Sequence, residues 1–333
     1  MLLLTASVSS LCGLSVFCSD EERYKEFYDA ANAHWADYIN SISGMECSVV
    51  ITGIYPPEPE RKTESTVVFD FPNFAIEKMA DGNADEVSCF GKAYHFELKR
   101  NPGTGSYALV TLRQNESNTD PDAWKNLFFS KSNPDDTWTF AGGKSLMYSI
   151  GQALTLWGPT RLPQLIQYKG FSIESFTDDG QKIDVGYRFE PEKDFGEESE
   201  TLLTPVRSGH FVLLKENYLL ESAEFVMRLG DERLRYTLHC EYAPAGGKSM
   251  LKKKTMTARK ENDETDPEHV TVFDYDYHNF KRQRDSRFTL SYYGLPEPDY
   301  AGKGFYFFRV LFMLLGCAVI AWAVSSFCRK LRK

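Results

Sequence analysis

From 233 to 242 the chain alternates strictly. Leu234, Tyr236, Leu238, Cys240 and Tyr242 fall on one parity; Arg233, Arg235, Thr237, His239 and Glu241 fall on the other. Side chains of a strand point to opposite faces in turn, so this stretch is a strand with one dry and one wet face, the pattern of an antiparallel sheet. SAEFVMRL (222–229) precedes it across Gly230-Asp231, which predicts a hairpin. The period of two returns in Ile183, Val185, Tyr187 and Phe189, in Phe273, Tyr275 and Tyr277, and in Phe288, Leu290 and Tyr292. CSVVITGI (47–54), STVVFDF (65–71), FAIEKM (74–79), AYHFELK (93–99) and SYALVTL (106–112) are rich in β-branched and aromatic residues. The last two flank RNPGTG, a good turn. Ten or more such segments predict a large antiparallel sheet.

Helical periods interrupt the strands. Tyr24, Phe27, Tyr28, Ala31, Trp35, Tyr38, Ile39 and Ile42 recur at steps of three and four, between Asp20 as a cap and Gly44 as a stop. Asp120-Pro121 opens a short helix through Trp124, Leu127 and Phe128. At 144–158, Leu146, Ile150, Leu154 and Trp157 share a stripe and predict an inserted helix. The charged stretches 190–200 and 257–269 have neither period and read as loops. The fold class expected is β-rich α+β.

The two ends differ from the body. Residues 310–328 carry no charge and would form a helix about 28 Å long, close to the hydrocarbon thickness of a bilayer. The expected transmembrane helix is 305–328, with Arg309 snorkelling near its start and a basic cytoplasmic tail at 329–333. Residues 1–18 are uncharged and read as a signal peptide, leaving 19–300 as an extracytoplasmic domain. This places the protein in the cell membrane, single-pass, with the N-terminus outside. A tail-anchored protein facing the cytosol is the alternative. All 47 acidic residues lie between the ends with 33 of the 38 basic ones, a net charge of −14. Such a body is unsuited to nucleic acid, whose phosphates need a basic face.

Chemical motifs are few. The two AGGKS stretches are not phosphate loops, because Trp138 and Tyr242 stand where the first glycine should be. Six histidines lie scattered without zinc spacing, and no nucleophile signature is present. Asp274, Asp276 and His278 share one strand face, which reads as solvated rather than as a metal site. No cofactor is expected. Asn115-Glu116-Ser117 is a glycosylation sequon. Of seven cysteines, Cys47, Cys89 and Cys240 lie in the body; Cys47–Cys89 is the expected disulfide and Cys240 a buried thiol.

Two resemblances follow. GLPEP (294–298), an apolar helix and a basic end resemble the PEP-type C-terminal sorting signal of bacterial surface proteins, although six residues intervene between motif and helix. A rigid linker is the plainer reading. The leading amphipathic helix, long antiparallel meander and inserted helix, over roughly 20–293, resemble the lipoprotein-carrier (LolA-like) fold. That resemblance implies a half-open barrel with an apolar concave face for a lipid, lipoprotein or apolar peptide. Trp35, Trp157 and Tyr236 are the expected lining. The alternatives are an envelope scaffold with a closed core and, last, a hydrolase whose site is assembled from distant residues.

Overall fold

The computed structural model describes residues 20–298 apart from 71–72, 115–150, 158–159, 169, 191–205, 230–231 and 262–267. The expected signal peptide (1–18), transmembrane helix (305–328) and tail (329–333) lie outside the described residues, as do the sequon and the helix at 120–128. Among the described residues no helix is long and apolar enough to cross a membrane.

The leading helix, α1, runs Asp20–Ser41. Its stripe does what the period predicts: Phe27, Ala31, Trp35 and Ile39 are buried, and so is Ile42 just beyond it. Thirteen strands then make one sheet. The first six are β1 (Met45–Ile54), β2 (Arg61–Asp70), β3 (Asn73–Ala80), β4 (Asn83–Phe90), β5 (Tyr94–Arg100) and β6 (Tyr107–Gln114). After a two-stranded ribbon, β7 (Thr155–Trp157) with β8 (Thr160–Arg161), come β9 (Phe171–Asp178), β10 (Lys182–Phe189), β11 (Val206–Leu214) and β12 (Leu220–Leu229). The last are β13 (Glu232–Ala245), β14 (Lys248–Lys260) and β15 (His269–Phe280).

Every neighbour pairs antiparallel, in the order β6-β5-β4-β3-β2-β1-β15-β14-β13-β12-β11-β10-β9. Two meanders are thus joined where β1 pairs with β15, Val49 facing Tyr275. The hairpin expected across 230–231 forms, with Phe225 opposite Tyr236. So does the RNPGTG turn, closed by the Gly105 amide donating to Asn101 O at 2.8 Å.

The sheet has two cores on opposite faces. On the inner face, side chains from β1–β3 and β9–β15 converge on α1 and on residues 151–166. On the outer face of β2–β5, Val68, Ala75, Val87, Cys89, Tyr94, Phe96 and Leu98 pack under Phe288 and Leu290. The cover of this second core is a pair of 3-10 turns, Asp285–Phe288 and Leu290–Tyr293. Gly91 allows the closest approach: a Cβ there would lie 2.5 Å from Phe288 O. The inner face of β3–β6 is correspondingly wet, with Lys78 paired to Glu86 at 2.8 Å.

Four expectations are corrected. Cys47 and Cys89 do not form a disulfide; both are free. The register shows why: Cys47 faces Val67, Val67 faces Ile76, and Ile76 faces Ser88, so Cys89 points to the other side of the sheet. Three strand spacings, about 14 Å, also separate them, far beyond the reach of a disulfide. Of the expected helix at 144–158, residues 151–157 form instead a 3-10 turn, Gly151–Leu154, and β7. Phe288, Leu290 and Tyr292 lie in turns rather than a strand. Within the expected loop 257–269, residues 257–260 extend β14 and His269 begins β15.

Candidate ligand-binding face

The inner face of β9–β15 is the largest apolar surface of the sheet, and two pieces of chain cover it. The first is α1. Phe27 packs on Phe176 of β9 with ring centroids 5.5 Å apart. Trp35 has no exposed surface, and its indole N–H donates to Tyr218 O at 2.7 Å. Trp35 is therefore core in this structure rather than lining.

The second cover is 151–168: the 3-10 turn, the ribbon β7–β8 and one helical turn, α2 (Leu162–Leu165). It brings Trp157 against Tyr236, with ring centroids 6.4 Å apart and planes at 62°. Two of the three expected lining residues thus meet. Tyr236 also stacks on Phe225 at 5.3 Å. Burial raises the Tyr236 hydroxyl above its ordinary pKa, and a hydrogen bond from Trp157 works against that rise.

The rim beside this contact is exposed. Gly53 on β1 leaves a gap where a side chain would stand, and Tyr55 fills it: a Cβ on Gly53 would lie 2.5 Å from the Tyr55 ring. The Tyr55 hydroxyl shares a hydrogen bond with Thr271 Oγ1 at 3.0 Å. Tyr55 is 38% exposed.

Beneath the second cover lies a feature that the alternation did not reveal. Lys254 of β14 is fully buried. It faces Cys240 on one side and Phe273 on the other, both members of the inner core. Its Nζ donates to Thr155 O at 2.6 Å, to Gln152 Oε1 at 3.0 Å and to Gln152 O at 3.3 Å. An ammonium has three N–H donors, so these three oxygens satisfy it. All three belong to the cover and none is charged. Among the described residues no carboxylate lies within ion-pair distance of Lys254. Burial pushes its pKa down to about 8. Arg161 of the cover is buried too, and burial lowers it to about 9. The buried carboxylates among the described residues, Asp70 and Glu77, lie elsewhere, on strands of the outer core.

A β-bulge puts Lys254 there. Glu241 pairs with Lys253 and Tyr242 with Leu251, so Lys252 is an extra residue that reverses the parity of β14. Before it Leu251 points inward; after it Lys254, not Lys253, does.

A cleft of about 470 Å3 runs beside the end of α1 and is lined by His34, Asp37, Asn40, Ser41, Asn217 and Lys248, among others. On the outer side of β15, His278 Nε2 lies 2.8 Å from Ser48 Oγ. No cluster of three His, Cys, Asp or Glu side chains among the described residues could hold a metal ion.

No protein-family model matches the sequence, and no curated protein matches it. Solved structures that resemble the chain have LolA-like folds. A LolA superfamily protein from Nitrosomonas europaea aligns at 10% identity over 79% of this chain and 99% of its own, with a TM-score of 0.39. A DUF1329 family protein from Desulfovibrio piger aligns at 12% identity over 80% and 98%, with a TM-score of 0.39. A domain named for outer membrane lipoprotein sorting, from Vibrio parahaemolyticus, aligns at 11% identity over 80% and 98%, with a TM-score of 0.40.

Proposed function

We propose that this protein is an envelope binding protein. In this reading the inner face of β9–β15 receives the apolar chain of a lipid or lipoprotein, and 151–168 is a cover that the ligand displaces. The sheet would be the half-open barrel of such a carrier. The segment at 305–328 would fix it to the membrane, with the domain on the outer side. One observation carries the reading: the cover is joined to the sheet through Lys254, whose three partners are neutral oxygens of the cover alone. A permanent core gains nothing from a buried charge at such a seam, since apolar side chains of similar volume would be as stable or more so. The half-exposed Tyr55, on the same face as Tyr236, would stand at the entrance.

The scaffold reading has its own support: Trp35 and the apolar residues around it are buried as an ordinary core. Photolabelling separates the two. Full-length protein in detergent is irradiated with a long-chain methyl ester that carries a diazirine, and the adducts are mapped to peptides. Adducts on Trp157, Tyr236 and the strands β12–β14 are expected. Adducts confined to the apolar run at 305–328 would leave the scaffold.

A further inference from the structure

From the partners of Lys254 we infer that the ligand of the inner face carries an oxyanion, a carboxylate or a phosphate, and that Lys254 receives it. This rests on the binding proposed above and adds the chemistry of the ligand's head.

The argument is one of satisfied donors. The three hydrogen bonds of Lys254 all end on 152–155, so a ligand that displaces this segment removes every one of them at once. The ammonium cannot turn to water, because its whole side chain is buried between Cys240 and Phe273 on an apolar face. Among the described residues it has no carboxylate to fall back on, and a buried charge without partners is strongly disfavoured. Displacement is therefore easiest for a ligand that brings its own acceptor oxygens to the same place. Charged acceptors serve an ammonium better than neutral ones. A second donor stands nearby: Tyr275, two residues along β15 from Phe273, has a buried hydroxyl with no hydrogen-bond partner among the described residues. A purely hydrocarbon ligand, or a neutral ester, would leave both groups unmet.

The test compares heads on one chain length. Full-length protein is photolabelled in detergent with four diazirine amphiphiles: a fatty acid, an alkyl phosphate, the methyl ester and the alcohol. Labelling of β12–β14 is read by peptide mapping. The acid or the phosphate should label these strands at least tenfold more than the ester or the alcohol, and whichever dominates tells a fatty carboxylate from a phospholipid headgroup. Lys254→Met should abolish the preference, and Lys254→Arg should keep it. Equal labelling by all four probes in the wild type overturns the inference and leaves the binding reading intact. So does a preference that survives in Lys254→Met. No labelling of β12–β14 by any probe overturns the binding reading itself. Should Lys254→Met lose its near-ultraviolet dichroism, the wild-type comparison and Lys254→Arg still decide.

Discussion

The two covers of this sheet are built on opposite principles. On the outer face of β2–β5 the 3-10 turns at 285–293 are sealed by charge against charge. Arg287 lies 3.0 Å from Glu77, with both side chains at most 16% exposed. The Tyr293 hydroxyl donates to the same carboxylate at 2.9 Å. Glu297 accepts from the Tyr94 hydroxyl and, at 2.7 Å, from the Ser291 amide. On the inner face the cover at 151–157 packs Ala153, Leu154 and Leu156 into the core and meets Lys254 through neutral oxygens. Removing the outer cover strands a paired carboxylate in an apolar setting. Removing the inner one exposes a lysine that any oxyanion could satisfy. The difference separates a seal from a door, and it also concerns position: the sealed segment is the stretch of chain that runs on toward the expected membrane helix.

Trp35→Ala should be the most damaging substitution, because α1 belongs to the core and not to the removable cover. A cost of about 3–5 kcal/mol in denaturant unfolding is expected. A cost near 1 kcal/mol would put α1 among the movable parts. Glu77→Ala should lose about 3 kcal/mol, since it leaves Arg287 and the Tyr293 hydroxyl without their acceptor. Loss of under 1 kcal/mol would mean that the outer cover is no seal.

Lys254 should behave in the opposite sense, and pH exposes it. Its folded pKa is about 8 against an ordinary 10.5. Between these values the unfolded chain holds a proton that the folded chain has released, so this group adds stability as pH rises. Its inner-face neighbours Cys240 and Tyr242 are raised by burial and pull the other way. Comparison of Lys254→Met with the wild type, both carrying Cys240→Ala, removes the thiol that is coupled to Lys254. Wild-type stability relative to that variant should grow by on the order of 3 kcal/mol from pH 8 to 10.5. A flat difference would contradict a buried, charge-bearing seam. Gly91→Ala should cost less, about 1–3 kcal/mol, by forcing Phe288 away from the sheet. The smallest effect belongs to reducing agent: with Cys47 and Cys89 on opposite faces, it should leave the melting temperature unchanged.

The parts legible in the sequence are those where one face decides everything. The stripe of α1 and the alternation of β13 each answer to a single apolar core, and both stand where the periods put them. β4 escaped because only two of its eight residues, Val87 and Cys89, are buried, too few to show a period. The end of β14 escaped because its charged residues suit a solvated strand as well as a loop. Phe288, Leu290 and Tyr292 mimic a strand because three residues are too few to tell a period of two from successive turns; only the first two are buried, and Tyr292 is 51% exposed. In the candidate site, Tyr236 follows from the alternation of β13, whereas Trp157 reaches it from a short strand and not from the expected helix. Lys254 was not legible, because one extra residue, Lys252, reverses the parity of its strand and no local pattern announces a bulge.

Hydrogen exchange of the full-length protein tests the contrast between door and seal most directly. The amides of 152–157 should exchange at least tenfold faster than those of β12 and β13 beneath them, through an opening that leaves the sheet intact. The amides of Leu290 and Ser291, bonded to Tyr94 and Glu297, should exchange only as slowly as the strands. Equal protection of the two covers, both opening only when the sheet unfolds, would contradict the account.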